Sequence, residues 1–463
     1  MRYSRLTASW LMTLLFLLSL GSALAADREK TSPGTLLWEN RGQIEPLGAG
    51  LAIAVDEDVV VASGNVCDDV VSVGSCNWFV RAHDAKTGET LWEDRLNPGR
   101  FDRSQDVVID GDRVFASGWF QLPVVSGAGV DFVVRAYDLK RGTLLWQQQI
   151  DRGVVDIAER ITARDGRVFG VGRTKGATGS NSDFAIFAFD AATGVELWES
   201  VTDVFQVDIA FTVTVDRDTV FAAGPVQNFT SLLIRAYDAR TGQLLWQDEV
   251  PGGQMFVQGQ GKLVTQRGLL FVAGGILTQA GDQDFIVRAY DKKTGALRWV
   301  QQLDAGGNDE ALSLDVSGNR LFAGGYDACD AAFLSCSFSV RALAPKTGAV
   351  LWQDRFQATP GGDANVTAIV ARGGLVFAGG NAQDAAGLYQ WTLRIYDAVS
   401  GALLGTELIA SGGGSSNLIG LSLAEDRLYA TGTIGTSAVS GDFTVRAYHV
   451  AGTEQGKHES DPD

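Results

Sequence analysis

The 463-residue chain is 45% hydrophobic and 20% charged, which excludes a disordered acidic polymer and allows a sizeable core. Its 38 Lys plus Arg against 55 Asp plus Glu give a formal charge of −17, which argues against nucleic acid or anionic lipid as the main partner, because phosphate binding needs a positive field. Fifty-six glycines and only three histidines (His83, His449, His458) favour turn-rich β structure and leave little room for histidine chemistry.

Residues 1–25 read as an export signal. Arg2 and Arg5 precede an apolar run from Leu11 to Leu20, and Ala23-Leu24-Ala25 supplies the small-x-small pattern cleaved by a signal peptidase. The rival is an uncleaved anchor, since residues 6–26 carry no charge and could just span a bilayer. Either way the body is expected in the periplasm or outside the cell. No lipid-attachment cysteine lies near the cleavage point, so the mature chain is expected to be soluble.

From Pro33 a single pattern takes over. Pro33-Gly34-Thr-Leu-Leu-Trp38 matches Arg141-Gly142-Thr-Leu-Leu-Trp146, yet no first three strands precede it. The frame Ala-x-Asp-x-x-Thr-Gly-x-x-x-Trp then runs from Ala82 to Trp92, and Ala136 to Trp146 follows it closely. It returns at Ala188 to Trp198, Ala236 to Trp246 and Ala289 to Trp299. Ala342 to Trp352 has Ala344 for Asp, and Ile395 to Gly405 has lost both the Ala and the Trp. Successive tryptophans from Trp38 stand 54, 54, 52, 48, 53 and 53 apart, a period that implies an array or a closed propeller.

Each unit predicts four short antiparallel strands: an apolar strand, a tight turn such as Asp110-Gly111-Asp112, a Val-Phe-Ala strand, a Phe-x-Val-Arg-Ala-Tyr strand, and a last strand ending in Trp. The final unit has three strands and then a polar tail, residues 451–463, expected to be disordered. The N-terminal strand is expected to supply its fourth, so that residues 33–450 form an all-β, eight-bladed propeller without open edges. Trp38 should then pack beside Ala447.

Two cysteine pairs fall at one place in their own units, Cys67 with Cys76 and Cys329 with Cys336. In an oxidising compartment they read as two local disulfides, each worth about 2.5–3 kcal/mol by loop entropy. A shared four-Cys zinc site is the rival, but the pairs belong to non-adjacent blades.

The recurring frame resembles the tryptophan-docking motif of the pyrroloquinoline-quinone-like eight-bladed propellers. The resemblance implies that Trp38, Trp92, Trp146, Trp198, Trp246, Trp299 and Trp352 wedge between blades and are structural. It also implies a test for quinone-dependent dehydrogenases, whose site has a vicinal Cys–Cys ring, a Trp beneath the quinone, and Glu, Asn and Asp around Ca²⁺. No two cysteines are adjacent here, no Cys-x-x-Cys-His is present for haem, and no residue carries over to the metal or base positions. The outer-membrane-assembly lipoprotein of the same superfamily is also similar, but its lipid-bearing Cys is missing.

One constellation remains as a candidate site. Asp102, Asp156, Asp208 and Asp309 with Glu310 recur just before the first strands, with Asn365 and Asn417 in near-equivalent places. Ringing the channel mouth, they could hold Ca²⁺ or a polar ligand; alternatively they cap turns and keep the channel wet. Trp119 is a possible ligand-face aromatic or an edge cover, and the repeated Arg of the third strand reads as a structural link. The expectation is a monomeric, non-catalytic extracytoplasmic binding or scaffold protein for a protein or small-molecule ligand, with no cofactor. The alternative is a dehydrogenase that uses pyrroloquinoline quinone and Ca²⁺ in a diverged site.

Overall fold

The computed structural model describes residues 32–450 apart from 43–46, 70–75, 122–128, 154, 176–181, 256–258, 411–412 and 438. The segments expected to be an export signal and a disordered tail, residues 1–25 and 451–463, lie outside the described residues. Every named element is a β-strand, and the strands form eight blades, seven of four strands and the fifth of five. Blade one runs outward from the axis through Leu47–Asp56, Val59–Cys67, Cys76–Asp84 and Thr90–Leu96. Blades two to seven repeat that order, starting at Arg103, Ile157, Thr212, Gly253, Asn308 and Ala364. No helix among the described residues is long and apolar enough to cross a membrane.

Burial along each blade follows from strand position. Third strands such as Asp131–Asp138 are covered on both faces by neighbouring blades, so the run Phe-Val-Val-Arg-Ala-Tyr is buried throughout. Outermost strands such as Leu144–Ile150 expose both leucines and bury the indole that follows.

The eighth blade is composite. Asn417–Ala424, Arg427–Ser437 and Ser440–His449 are completed by Leu36–Gly42, with Trp38 opposite Ala447. A single parallel bridge, Leu47 to Gly441, then joins this blade to blade one.

All seven indoles donate Nε1 to a carbonyl of the next blade, at 2.8–3.1 Å. Trp92 shows why the frame needs glycine. Gly142 has φ 67°, and a Cβ there would lie 2.4 Å from the Trp92 ring. The degenerate seventh unit compensates internally. Gly405 removes the indole, and Ile395, standing where other units have Ala, fills the space so closely that a Cβ on Gly34 would sit 2.4 Å from its Cδ1.

A second tie crosses four junctions. Tyr137, Tyr290, Tyr396 and Tyr448 donate to Asp94, Asp248, Asp354 and Glu407 of the preceding blade, at 2.7–2.9 Å. Arg135, Arg288, Arg394 and Arg446, two residues before each Tyr, pair with the same carboxylates at 3.0–3.6 Å. At these four junctions the repeated arginine is therefore an inter-blade link, whereas Arg81 and Arg341 pair within their own blades, with Glu93 and Asp327. Both expected disulfides, Cys67–Cys76 and Cys329–Cys336, are present.

Candidate functional site

The axis holds a cavity of about 760 Å³. First strands place Leu51, Gln105, Leu312, Thr367 and Ile419 at one level of its wall, and Asn365 and Asn417 two residues earlier. Second strands and the loops after them add Tyr326, Phe333, Cys336 and Asn381, and Tyr389 opens a third strand.

The cavity has a stopper. In blade five the innermost strand is broken into Gly253–Gln254 and Leu263–Gln266, and Gly259, Gln260 and Gly261, which lie between them, stand outside the sheet. The Gln260 N–H donates to the Thr367 carbonyl of blade seven at 2.9 Å, and its Nε2 to the Leu51 carbonyl of blade one at 3.3 Å. The Gly261 carbonyl accepts from Leu314 of blade six, and the Gly259 carbonyl from Arg160 of blade three. Blades five and one are opposite in an eight-membered ring, so this segment reaches blade one by crossing the axis. Gly259 is required there, since φ is 93° and a Cβ would meet the Leu312 carbonyl at 2.1 Å.

The wall mixes apolar side chains such as Leu51, Leu312, Phe333 and Ile419 with polar ones, and carries two guanidinium groups, Arg103 and Arg160. Arg103 lies 5.4 Å from the centre of the Trp119 ring, which in turn stacks on Phe101. Burial lowers its pKa to about 10, opposed by the nearby Glu159, so it stays cationic at neutral pH. Burial pushes the Glu159 carboxyl up, against the pull of Arg173, Arg160 and Arg103. Gln105 is 8% exposed, and its Oε1, like the Oδ1 atoms of Asn365 and Asn381, has no hydrogen-bond partner among the described residues. Asp363 is the one carboxylate of the lining; Tyr389 donates to it at 2.7 Å, and burial raises its pKa.

The acidic ring expected at the channel mouth is not what these residues make. Asp102, Asp156, Asp208 and Asp309 are fully buried, and none lines the cavity. Each stitches two loops through backbone N–H groups: Asp102 accepts from Gly99 and Gln121, Asp156 from Arg152, Gly153 and Lys175, Asp208 from Val204, Phe205 and Gln227, and Asp309 from Ala305 and Ala328. Orphan loop N–H groups turn the carboxylates inward, away from the axis. Glu310 sits behind the wall, accepting from Tyr326 at 3.0 Å with Lys262 at 3.5 Å. Trp119 is half-buried and backs Arg103. Of the expected polar positions, Asn365 and Asn417 do face the cavity.

Arg103, Arg160, Gln105 and Gln260 were not singled out by sequence. The available signal was Gly259-Gln-Gly-Lys262, a glycine-flanked stretch where other units place a plain first strand. The lining lacks the parts that the resemblance implies for a quinone site. It contains no Trp, only one carboxylate, and a Cys336 bonded to a cysteine seven residues away.

A family model described as outer membrane protein assembly factor BamB matches residues 77–275 and 253–434. A curated relative, tetrathionate hydrolase of Acidithiobacillus ferrooxidans, is 23% identical over 309 residues, covering 62% of this chain and 56% of that protein. The chain thus spans little more than half the length of that relative. Among solved structures, europium-containing methanol dehydrogenase superposes with a TM-score of 0.56 at 12% identity, covering 90% of this chain and 93% of the other. The quinohemoprotein alcohol dehydrogenase of Comamonas testosteroni gives 0.55 at 14%, covering 92% and 78%. That of Pseudomonas putida gives 0.53 at 15%, covering 94% and 79%. These likenesses establish the fold, and the repeat match establishes that the chain belongs to the pyrroloquinoline-quinone-like propeller family that includes the outer-membrane assembly factor.

Proposed function

We propose that the protein is an extracytoplasmic binding propeller whose stoppered axial cup takes a small polar anion. The observation that carries this reading is the pair Arg103 and Arg160 in the wall of a cavity within a chain of formal charge −17. Two guanidinium groups in a sheltered cup offer charge-assisted, fork-shaped donors suited to an oxyanion. Tetrathionate, from which the curated relative takes its name, is such an anion. The two disulfides support an oxidising compartment. A protein partner on the loop-bearing face is compatible with this role but has no feature of its own to carry it.

The test is calorimetric titration with sulfate, thiosulfate and tetrathionate, repeated on Arg103→Gln. At least one anion should bind the native protein, and the variant should bind it about tenfold or more weakly, the loss of a charge-assisted hydrogen bond. No heat from any of the three at millimolar concentration ends the proposal. The structural neighbours' names favour a second reading, a quinone-dependent dehydrogenase. Dye reduction by an alcohol or sugar after addition of pyrroloquinoline quinone and Ca²⁺ would put that reading first.

A further inference from the structure

Away from the axis, two groups of aspartates share one spacing. Asp284 opens the third strand of blade five, Asp304 lies 20 residues on in the loop beyond the outermost strand, and Asp309 follows after five more, at the start of blade six. Asp183, Asp203 and Asp208 repeat this from blade three to blade four. Each group brings one carboxylate oxygen from every member within 4.8 Å of the others, and among the described residues only these two do so.

The blade five–six group is chemically incomplete. Asp309 accepts from the N–H groups of Ala305 and Ala328, and Asp304 from that of Gly306. Asp284 is 5% exposed; its Oδ2 accepts from Gln302 at 2.6 Å, while its Oδ1 is buried with no donor among the described residues. Among the described residues no Lys or Arg forms an ion pair with any of the three; Arg341 and Arg355 pair with Asp327 instead. Gathering three carboxylates without a cation costs desolvation and mutual repulsion, and a buried carboxylate oxygen lacking a donor is a position that a metal ion satisfies. A hard divalent ion taking oxygen ligands in flexible geometry suits such a set, and Ca²⁺ tolerates irregular coordination better than Mg²⁺.

We propose that Asp284, Asp304 and Asp309 bind Ca²⁺ at the junction of blades five and six, and that Asp183, Asp203 and Asp208 form the matching site between blades three and four. The ion would join the third strand of one blade to the first strand of the next on the loop-bearing face, a tie independent of the indoles. It also stands apart from the axial cup.

The experiment is equilibrium dialysis of the full chain against radioactive Ca²⁺ at about 1 mM, with thermal melting in Ca²⁺ and in chelator. The native protein should retain about two ions, Asp304→Asn about one, and the Asp203→Asn/Asp304→Asn double variant none. Ca²⁺ should raise the native Tm by about 3 °C or more, and the double variant's not at all. Asp203 and Asp304 are exposed, so both variants should fold, which their melting in chelator checks. No retained Ca²⁺, or retention that Asp304→Asn leaves unchanged, overturns the proposal.

Discussion

The rim and the axis of this ring are built on opposite rules. At the rim one contact recurs seven times with the same atoms, an indole on a glycine with Nε1 on a carbonyl of the next blade. At the axis the contributions diverge: blade two gives Arg103, blade three Arg160, blades seven and eight Asn365 and Asn417, and blade five interrupts its strand and sends Gln260 across. Repetition at the rim fixes where eight innermost strands stand, and that frees their inward side chains to differ. Stability is therefore concentrated outside and selectivity inside, and substitutions should separate the two.

The largest effect should come from Trp38→Ala. It removes the docked indole at the closing blade and should cost about 3–5 kcal/mol, read as a lower denaturation midpoint. Since Leu36–Gly42 is also the last strand of that blade, an unchanged midpoint would show that the ring does not depend on its closure.

His83 sharpens the comparison between this closure and the other junctions. It is buried 6.0 Å from Trp38, at a position held by Tyr137 and Phe189 in the next two blades. Burial, with help from Arg81, lowers its pKa from 6.5 to about 4. The folded state thus favours the neutral ring, so its contribution is fully present above pH 6.5 and is lost as pH falls toward 4. That loss is on the order of 3 kcal/mol. His83→Phe should remove this part of the acid sensitivity, measured as the difference in midpoint between pH 7 and pH 4.5. Equal pH dependence in the two proteins would contradict it.

The smallest effect on stability should belong to the axis. Gln260→Ala deletes one side-chain hydrogen bond and should cost about 1 kcal/mol. It should nevertheless alter anion binding as much as Arg103→Gln does, because the stopper is the floor of the cup. A Gln260→Ala protein that melts far below the native protein yet binds normally would reverse the division between rim and axis.

That division also explains what could be read from sequence. The Ala-x-Asp-x-x-Thr-Gly-x-x-x-Trp frame encodes local turn chemistry and a contact repeated at fixed spacing, so blade number, closure by Leu36–Gly42 and Trp38 opposite Ala447 were all legible. Both cysteine pairs were legible for the same reason, being local. The cup was not. Arg103, Arg160 and Gln260 lie 57 and 100 residues apart in the chain and meet only once the ring has closed. The aspartates were legible in part: their repeat position and turn-capping role could be read, but their direction is set by loop N–H groups that no spacing reveals, so the gathering of Asp208 and Asp309 with carboxylates of a neighbouring blade could not.

The borrowed strand of the eighth blade constrains the order of assembly. A ribosome delivers Leu36–Gly42 first, but its partner Ser440–His449 arrives about four hundred residues later. Until then one β-edge waits at each end of a growing arc, ready to add a strand from another molecule. Dilution or a chaperone that shields the early segment should consequently favour monomeric rings over tangled chains.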